Sequence, residues 1–382
     1  MNFKSIFTLV SVVILVIACD VPPSGYSFNE AGTDGDTDSD TDGDTDGDTD
    51  GDTDGDTDGD TDGDTDTSYD CASLPALPLD YKIIDTIAAE DFAFDSKGNA
   101  VIVERDSGKF FTQAYGEKPK VIVANVGTNS STGTSILSNG DVIVADETGP
   151  IFKVSPDGDV AMLNSNVAPN GITVGMDDKI YAASYWGTKP GLFRVDPDSG
   201  EAEFLLNNDS PQGEAADSYG FDGVTFSTDY KSIYVNEGEW LGGGEGRVFR
   251  LELQDDGSVK KVETIKPLTK STGTLDGMVT DICGNLYIAV SNLANGDGGC
   301  TGSGVYRINN DDRKTELVSC LGAKASTPSL NFGSGIGGWK AKSLYVIDWG
   351  DFMSSMEGNK NNGKFYEINV GVPGKPEPQF VK

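Results

Sequence analysis

The sequence predicts an all-β fold over residues 70–382, a six-bladed β-propeller. Three observations carry this. Short β-branched and aromatic runs alternate with Gly, Asp and Asn turns, and helical periodicity is almost absent. One unit recurs six times: a polar residue, usually followed by Gly, then an apolar stretch, a tight turn and a second strand. A strand-like segment ahead of the first unit matches the strand missing from the last.

The clear copies start at Asn170-Gly171-Ile172, Asp222-Gly223-Val224 and Asp276-Gly277-Met278, each leading to a tyrosine, at Tyr181, Tyr234 and Tyr287. Weaker copies start at Glu90-Asp91-Phe92, Thr132-Gly133-Thr134 and Ser334-Gly335-Ile336. Third strands are expected at Gly149 to Val154, Gly191 to Val195, Arg247 to Leu253, Gly304 to Ile308 and Lys364 to Val370. Fourth strands are expected at Lys120 to Ala124, Ala202 to Leu206, Lys261 to Ile265 and Thr315 to Cys320. The last repeat lacks a fourth strand, and Tyr81 to Ile87 is expected to supply it by pairing with the C-terminal blade. A β-sandwich shares this composition but does not explain a phased sixfold repeat.

Two segments precede the propeller. Residues 1–18 read as a signal peptide: Lys4, an apolar run from Ile6 to Ile17, then Ala18. Val16-Ile17-Ala18-Cys19 resembles a bacterial lipobox, which implies cleavage before Cys19 and lipid on its thiol. The expected location is the bacterial cell envelope, with a lipid anchor as the only membrane contact and the choice of membrane open. Residues 19–69 form a linker in which Thr-Asp-Gly-Asp repeats almost without interruption from Thr33 to Asp66. With an aspartate at every second position and nothing apolar to bury, it reads as a disordered, solvated spacer.

Charge and composition exclude several functions. The chain has 382 residues, 62 acidic against 28 basic side chains, a formal charge of −34 and no histidine. Residues 70–382 alone hold 43 acids and 27 bases. No Ser-His-Asp triad, histidine-ligated zinc or imidazole acid/base is available, and nucleic acid is a poor partner for such a charge. No feature suggests an oligomer, so a monomer is expected. Besides Cys19, four cysteines suit an exported domain and admit three pairings. Cys300 and Cys320 fall at one end of a hairpin, and Cys283 falls in a turn at the opposite face, within reach of Cys71. The expected pairs are Cys300–Cys320 and Cys71–Cys283.

In a propeller the first strand of each blade lines the channel, so the residue opening each repeat projects towards one mouth. Around the ring these are Glu90, Thr132, Asn170, Asp222, Asp276 and Ser334. Clustered carboxylates need protons or a cation. An all-oxygen donor set selects a hard cation, with Ca2+ the best match and Mg2+ or Mn2+ as alternatives. The competing reading is that Asp-Gly and Asn-Gly merely supply turns.

From Asp80 to Val370 the chain resembles the regucalcin/gluconolactonase (SMP-30-like) group of six-bladed propellers. The resemblance implies a metal held by Glu90, Asn170, Asp222 and Asp276, with Asp276 as general base. Asp91-Phe92 replaces the usual Gly-Pro, Asp222 replaces an asparagine, and Ala168 stands where sugar-lactone enzymes often carry arginine. The expected activity is metal-dependent hydrolysis of a lactone or ester, with an aldonolactone-like substrate disfavoured. Tyr185, Trp186, Tyr219, Phe221, Trp240, Asn292 and Trp349 are candidates for the pocket wall. The rival reading is a non-catalytic, calcium-stabilised propeller that binds a surface ligand or partner.

Overall fold

The computed structural model describes residues 69–381, apart from 88, 165, 186–189, 208–219, 238–245, 266–272, 294–295, 323–324 and 351–362. The signal peptide, Cys19 and the repeat linker lie outside the described residues. Six four-stranded antiparallel sheets are arranged as the blades of a propeller. The chain enters through β1 (Lys82–Asp85), the outermost strand of the last blade. Blade one follows as β2 (Phe92–Phe94), β3 (Asn99–Val103), β4 (Phe110–Ala114) and β5 (Lys120–Val123). Blade two is β6 (Ser131–Ile136), β7 (Val142–Asp146), β8 (Ile151–Val154) and β9 (Val160–Asn164). Blade three is β10 (Ile172–Val174), β11 (Ile180–Ser184), β12 (Gly191–Val195) and β13 (Ala202–Asn207). Blade four is β14 (Phe221–Phe226), β15 (Ser232–Glu237), β16 (Val248–Leu253) and β17 (Val259–Ile265). Blade five is β18 (Thr274–Thr280), β19 (Leu286–Leu293), β20 (Gly302–Ile308) and β21 (Thr315–Gly322). Blade six is β22 (Ser329–Phe332), β23 (Ser343–Ile347) and β24 (Phe365–Asn369), completed by β1, which pairs antiparallel with β24.

The burial pattern explains why the inner strands read as apolar runs. β7, β11, β15 and β23 are buried along their whole length, because each sheet is covered on both faces by its neighbours. Apolar residues therefore run consecutively through the middle of each strand, as in Val142–Ala145 and Ile233–Val235, rather than at every second position. The outermost strands have one exposed edge and read more weakly; β17 mixes buried and exposed residues. Six apolar clusters fill the six wedges between adjacent blades, such as Tyr181, Leu192, Phe221, Val235 and Phe249 between blades three and four. Among the described residues no helix is long and apolar enough to cross a membrane.

At the axis the repeat's glycines are spacers rather than turn formers. A Cβ on Gly133 would stand 2.7 Å from the Asn170 carbonyl oxygen, and one on Gly277 would stand 2.7 Å from that of Pro328. Gly171 and Gly223 meet the carbonyls of Asp222 and Asp276 still more closely. Each first strand thus abuts the next through backbone, and a side chain there would collide with it. In blades two, four and five the register shifts at this dipeptide, between Ser131 and Gly133, Phe221 and Val224, and Leu275 and Met278. Such a bulge re-aims the preceding polar side chain.

The same ring corrects the sixth copy. The Gly171 N–H donates to the Asp222 carbonyl at 2.9 Å, and the Gly277 N–H donates to the Pro328 carbonyl at 2.7 Å. Pro328-Ser329 therefore occupies the ring position assigned to Ser334-Gly335. Ser334 lies in the turn after β22, where its hydroxyl accepts from the Ile336 N–H at 3.2 Å. A non-glycine fits at Ser329 because its hydroxyl donates to Asp91, the residue standing at the same position in blade one.

Both expected disulfides, Cys71–Cys283 and Cys300–Cys320, are formed. The C-terminal segment crosses the lower mouth of the channel as a strap. The Ile282 N–H donates to the Pro373 carbonyl at 2.9 Å, and the Lys375 N–H donates to the Thr280 carbonyl at 3.0 Å. Tyr230 Oη donates to the Pro376 carbonyl at 2.6 Å, and Gln379 Nε2 donates to the Phe94 carbonyl at 3.2 Å. The strap thereby joins blades four, five and one.

Candidate metal and active site

The channel is a cavity of about 700 Å3, counting the space open to solvent. First strands of all six blades line it, with Asp91, Asn170, Asp222, Asp276 and Ser329 among the polar residues and Lys375, Glu377 and Gln379 at its closed end. Asp222 and Glu90 are buried, at 8% and 5% exposure, and Asn170 and Asp276 are half-buried. Asn236 links two blades beneath them: its Oδ1 accepts from the Gly223 N–H at 2.8 Å and its Nδ2 donates to the Asp276 carbonyl.

Around Glu90, Asp222 and Asp276 the acids outnumber the donors among the described residues. Burial pushes the Glu90 carboxyl up to about 8; Arg105 opposes this, while Asp222 and Glu147 add to it. Burial pushes Asp222 up to about 7, with Glu147 adding to it and Arg105 opposing. Asp276 is held well above the usual carboxylate range by burial first, then by the negative fields of Asp222, Glu90 and Asp91. Asp91 is raised to about 6 by burial, although Ser329 Oγ and the N–H groups of Thr134, at 2.7 Å, and Phe92, at 2.8 Å, donate to it.

Sequence reasoning missed Arg105 and Glu147. Arg105 Nη1 stands 2.9 Å from Glu90 Oε2 and Nη2 stands 2.5 Å from Glu147 Oε1, with the guanidinium carbon 4.8 Å from the centre of the Trp349 ring. Ser130 Oγ donates to Glu147 Oε1 at 2.6 Å and fixes the far side of the clamp. Both residues lie just past the ends of second strands, β3 and β7. That register also holds Tyr185, Asn292 and Trp349, which the sequence did single out. Extending it to charged residues would have found both.

The wall candidates divide. Trp349 is half-buried beneath Arg105. Asn292 is exposed and donates from Nδ2 to Thr274 Oγ1 at 3.1 Å, two residues before Asp276. Tyr185 is half-buried against Gly220. Phe221 is a correction: it is 1% exposed and packs edge-on against Phe249, with ring centres 5.8 Å apart, in the wedge between blades three and four. Its place on the bulged β14 turns it into the core, while Asp222 beside it faces the channel. Trp186, Tyr219 and Trp240 lie outside the described residues.

The donor chemistry fits a hard cation. Glu90 Oε2 and Asp222 Oδ1 are buried carboxylate oxygens with no aligned hydrogen-bond donor, and the Glu90 contact to Arg105 is a charge pair only. Among the described residues, however, no three acidic, thiol or imidazole side chains close on one point as a finished cage. Glu90 instead faces Arg105.

The fold is that of several solved structures. Regucalcin from Agrobacterium tumefaciens, described as a calcium-binding protein, superposes with a TM-score of 0.61 at 17% identity, over 80% of this chain and 99% of that one. A luciferin-regenerating enzyme gives 0.57 at 16% identity, over 80% and 100%. A gluconolactonase from Xanthomonas campestris gives 0.53 at 14%, over 78% and 97%. No protein-family model matches the chain, and no curated protein sequence matches it. The likeness at these identities is one of fold: a six-bladed propeller of the gluconolactonase and regucalcin type.

Proposed function

We propose that the chain is a divalent-metal-dependent hydrolase of lactones or esters, with Glu90, Asn170, Asp222 and Asp276 as metal ligands and Asp276 as general base. The observation that carries this reading is the set of buried, mutually repelling carboxylates at the axis, where Asp222 Oδ1 has no donor and Glu90 Oε2 meets only Arg105. Calcium suits the oxygen donors best, with magnesium and manganese as alternatives. Bound there, the ion supplies Lewis acidity towards a carbonyl oxygen.

The chain's own residues do the rest. With a cation beside it Asp276 is a carboxylate, and its half-open position on the channel lets it take the proton of an attacking water. Asn236 holds the Asp276 backbone from below, so the base keeps its distance from Asp222. The strap lies across the far end, so among the described residues the entrance to the acids is on the side of Trp349. Trp349 at that entrance, and Ala168 in place of a sugar-binding arginine, favour an apolar or aryl ester over a polyol lactone.

The test is turnover of δ-valerolactone and aryl esters by the full chain. We expect hydrolysis that EDTA abolishes and Ca2+ or Mn2+ restores, with Asp276→Asn lowering kcat by roughly a hundredfold or more. Calcium binding without hydrolysis across the panel would leave a ligand-binding propeller instead. The proposal extends to location: lipid on Cys19 would anchor the chain in the cell envelope, and radiolabelled palmitate incorporation lost in Cys19→Ser checks it.

A further inference from the structure

Glu90, a buried acid at the axis, is met by a guanidinium that is itself held in place. Arg105 is fixed on three sides: Glu90 at 2.9 Å, Glu147 at 2.5 Å and the Trp349 ring at 4.8 Å. These partners come from blades one, two and six. The backbone locks the same corner, since the Ser131 N–H donates to the Arg105 carbonyl at 3.3 Å and the Glu147 N–H donates to that of Ser130 at 3.2 Å. The Arg105 side chain is 24% exposed and that of Glu90 6%, so their pairing is shielded from water on the carboxylate side. The field of Arg105 also reaches Asp222.

We propose that Arg105 is a built-in counter-cation of this mouth, competing with the divalent ion for Glu90 and setting the affinity of the metal site. The inference rests on the metal reading above. A guanidinium cannot lose its charge, so it lowers the negative potential that draws a divalent ion whether or not the ion is there. The Glu147 clamp and the Trp349 face hold it where Glu90 must choose between partners. This also accounts for the absence of a finished three-acid cage among the described residues: one expected ligand is engaged by Arg105. Removing the guanidinium returns Glu90 to the ring formed with Asp222 and Asp276, and binding of the ion should tighten.

The experiment is calorimetric titration of the full chain with Ca2+ alone, repeated with Mn2+. The double variant Asp222→Asn/Asp276→Asn supplies the background from the acidic repeat. For Arg105→Gln we expect axial affinity at least about tenfold tighter than wild type, and a larger rise in Tm on adding Ca2+. Arg105→Met keeps the length of the side chain over Trp349 and repeats the test should the glutamine variant fail to fold. Axial binding in the wild type with the same or weaker affinity in the variants overturns this inference alone. No binding above background in the wild type or either variant removes the metal reading and this inference with it.

Discussion

The two ends of the channel hold the same residue type in opposite circumstances. At the closed end Asp281 is fully buried, yet it accepts from the Asn285 N–H at 2.9 Å, Asn285 Nδ2 at 2.8 Å and Tyr287 Oη at 3.1 Å. At the opposite end Asp222 is 8% exposed and its Oδ1 has no donor among the described residues. Burial raises the carboxyl in both cases, but donors pull Asp281 back down while Glu147 pushes Asp222 further up. Burial alone therefore does not mark a functional acid. The mark is a buried acid that the fold leaves unanswered.

Both ends hang from one close-packed ring, and the largest expected effect tests that. Gly223→Ala drives a Cβ into the Asp276 carbonyl, so we expect a loss of about 3 kcal/mol or more in urea unfolding. A negligible loss would mean that the first strands are free to part, and the contrast between the two ends would lose its frame.

Next comes the closed end. Asp281→Ala strands Asn285 and Tyr287 without an acceptor and should cost about 2 kcal/mol. Any turnover measured well below the melting transition should be unchanged. Asp222→Asn sharpens the contrast by going the other way: in EDTA at pH 8 we expect a gain of up to about 1 kcal/mol, because the change removes a buried charge that lacks a partner. Equal losses in the two variants would erase the distinction.

The smallest effect is the pH slope. Unfolded acids titrate near 3.8 and 4.5, whereas Asp91, Asp222 and Glu90 in the fold titrate near 6, 7 and 8. Between those ranges the folded chain holds more protons, so stability falls as pH rises. The contribution is fully present below about pH 4 and is lost through about pH 8. Urea midpoints in EDTA should decline across that window, and saturating Ca2+ should flatten the decline.

Much of the fold was legible because it repeats. Blades three, four and five each open on an Asx-Gly pair at the axis, since backbone meets backbone there and only glycine fits between. Blade six escaped for the complementary reason. Its ring residue is Pro328, and the next position is a serine that survives by donating to Asp91. Ser334-Gly335, a few residues on, imitates the motif but serves a turn. At the site, the axial acids follow from their phase in the repeat. Arg105 and Glu147 share the register past the second strands, but their pairing does not show in it, because they meet only through the juxtaposition of blades one and two. Phe221 shows the limit of proximity in sequence: on a bulged strand it and Asp222 face the core and the channel respectively.

The disulfide between Cys71 and Cys283 has a consequence for direction. Cys283 sits in the turn after β18, on the strapped face, where the Lys342 ammonium also lies 5.9 Å from the centre of the Tyr69 ring. The described chain thus begins on the strapped face and is riveted there, while the axial acids Glu90, Asp222 and Asp276 lie towards the other face. Traffic to the acids and traffic along the chain towards Tyr69 run on opposite sides of the molecule, and a pull on one does not obstruct the other.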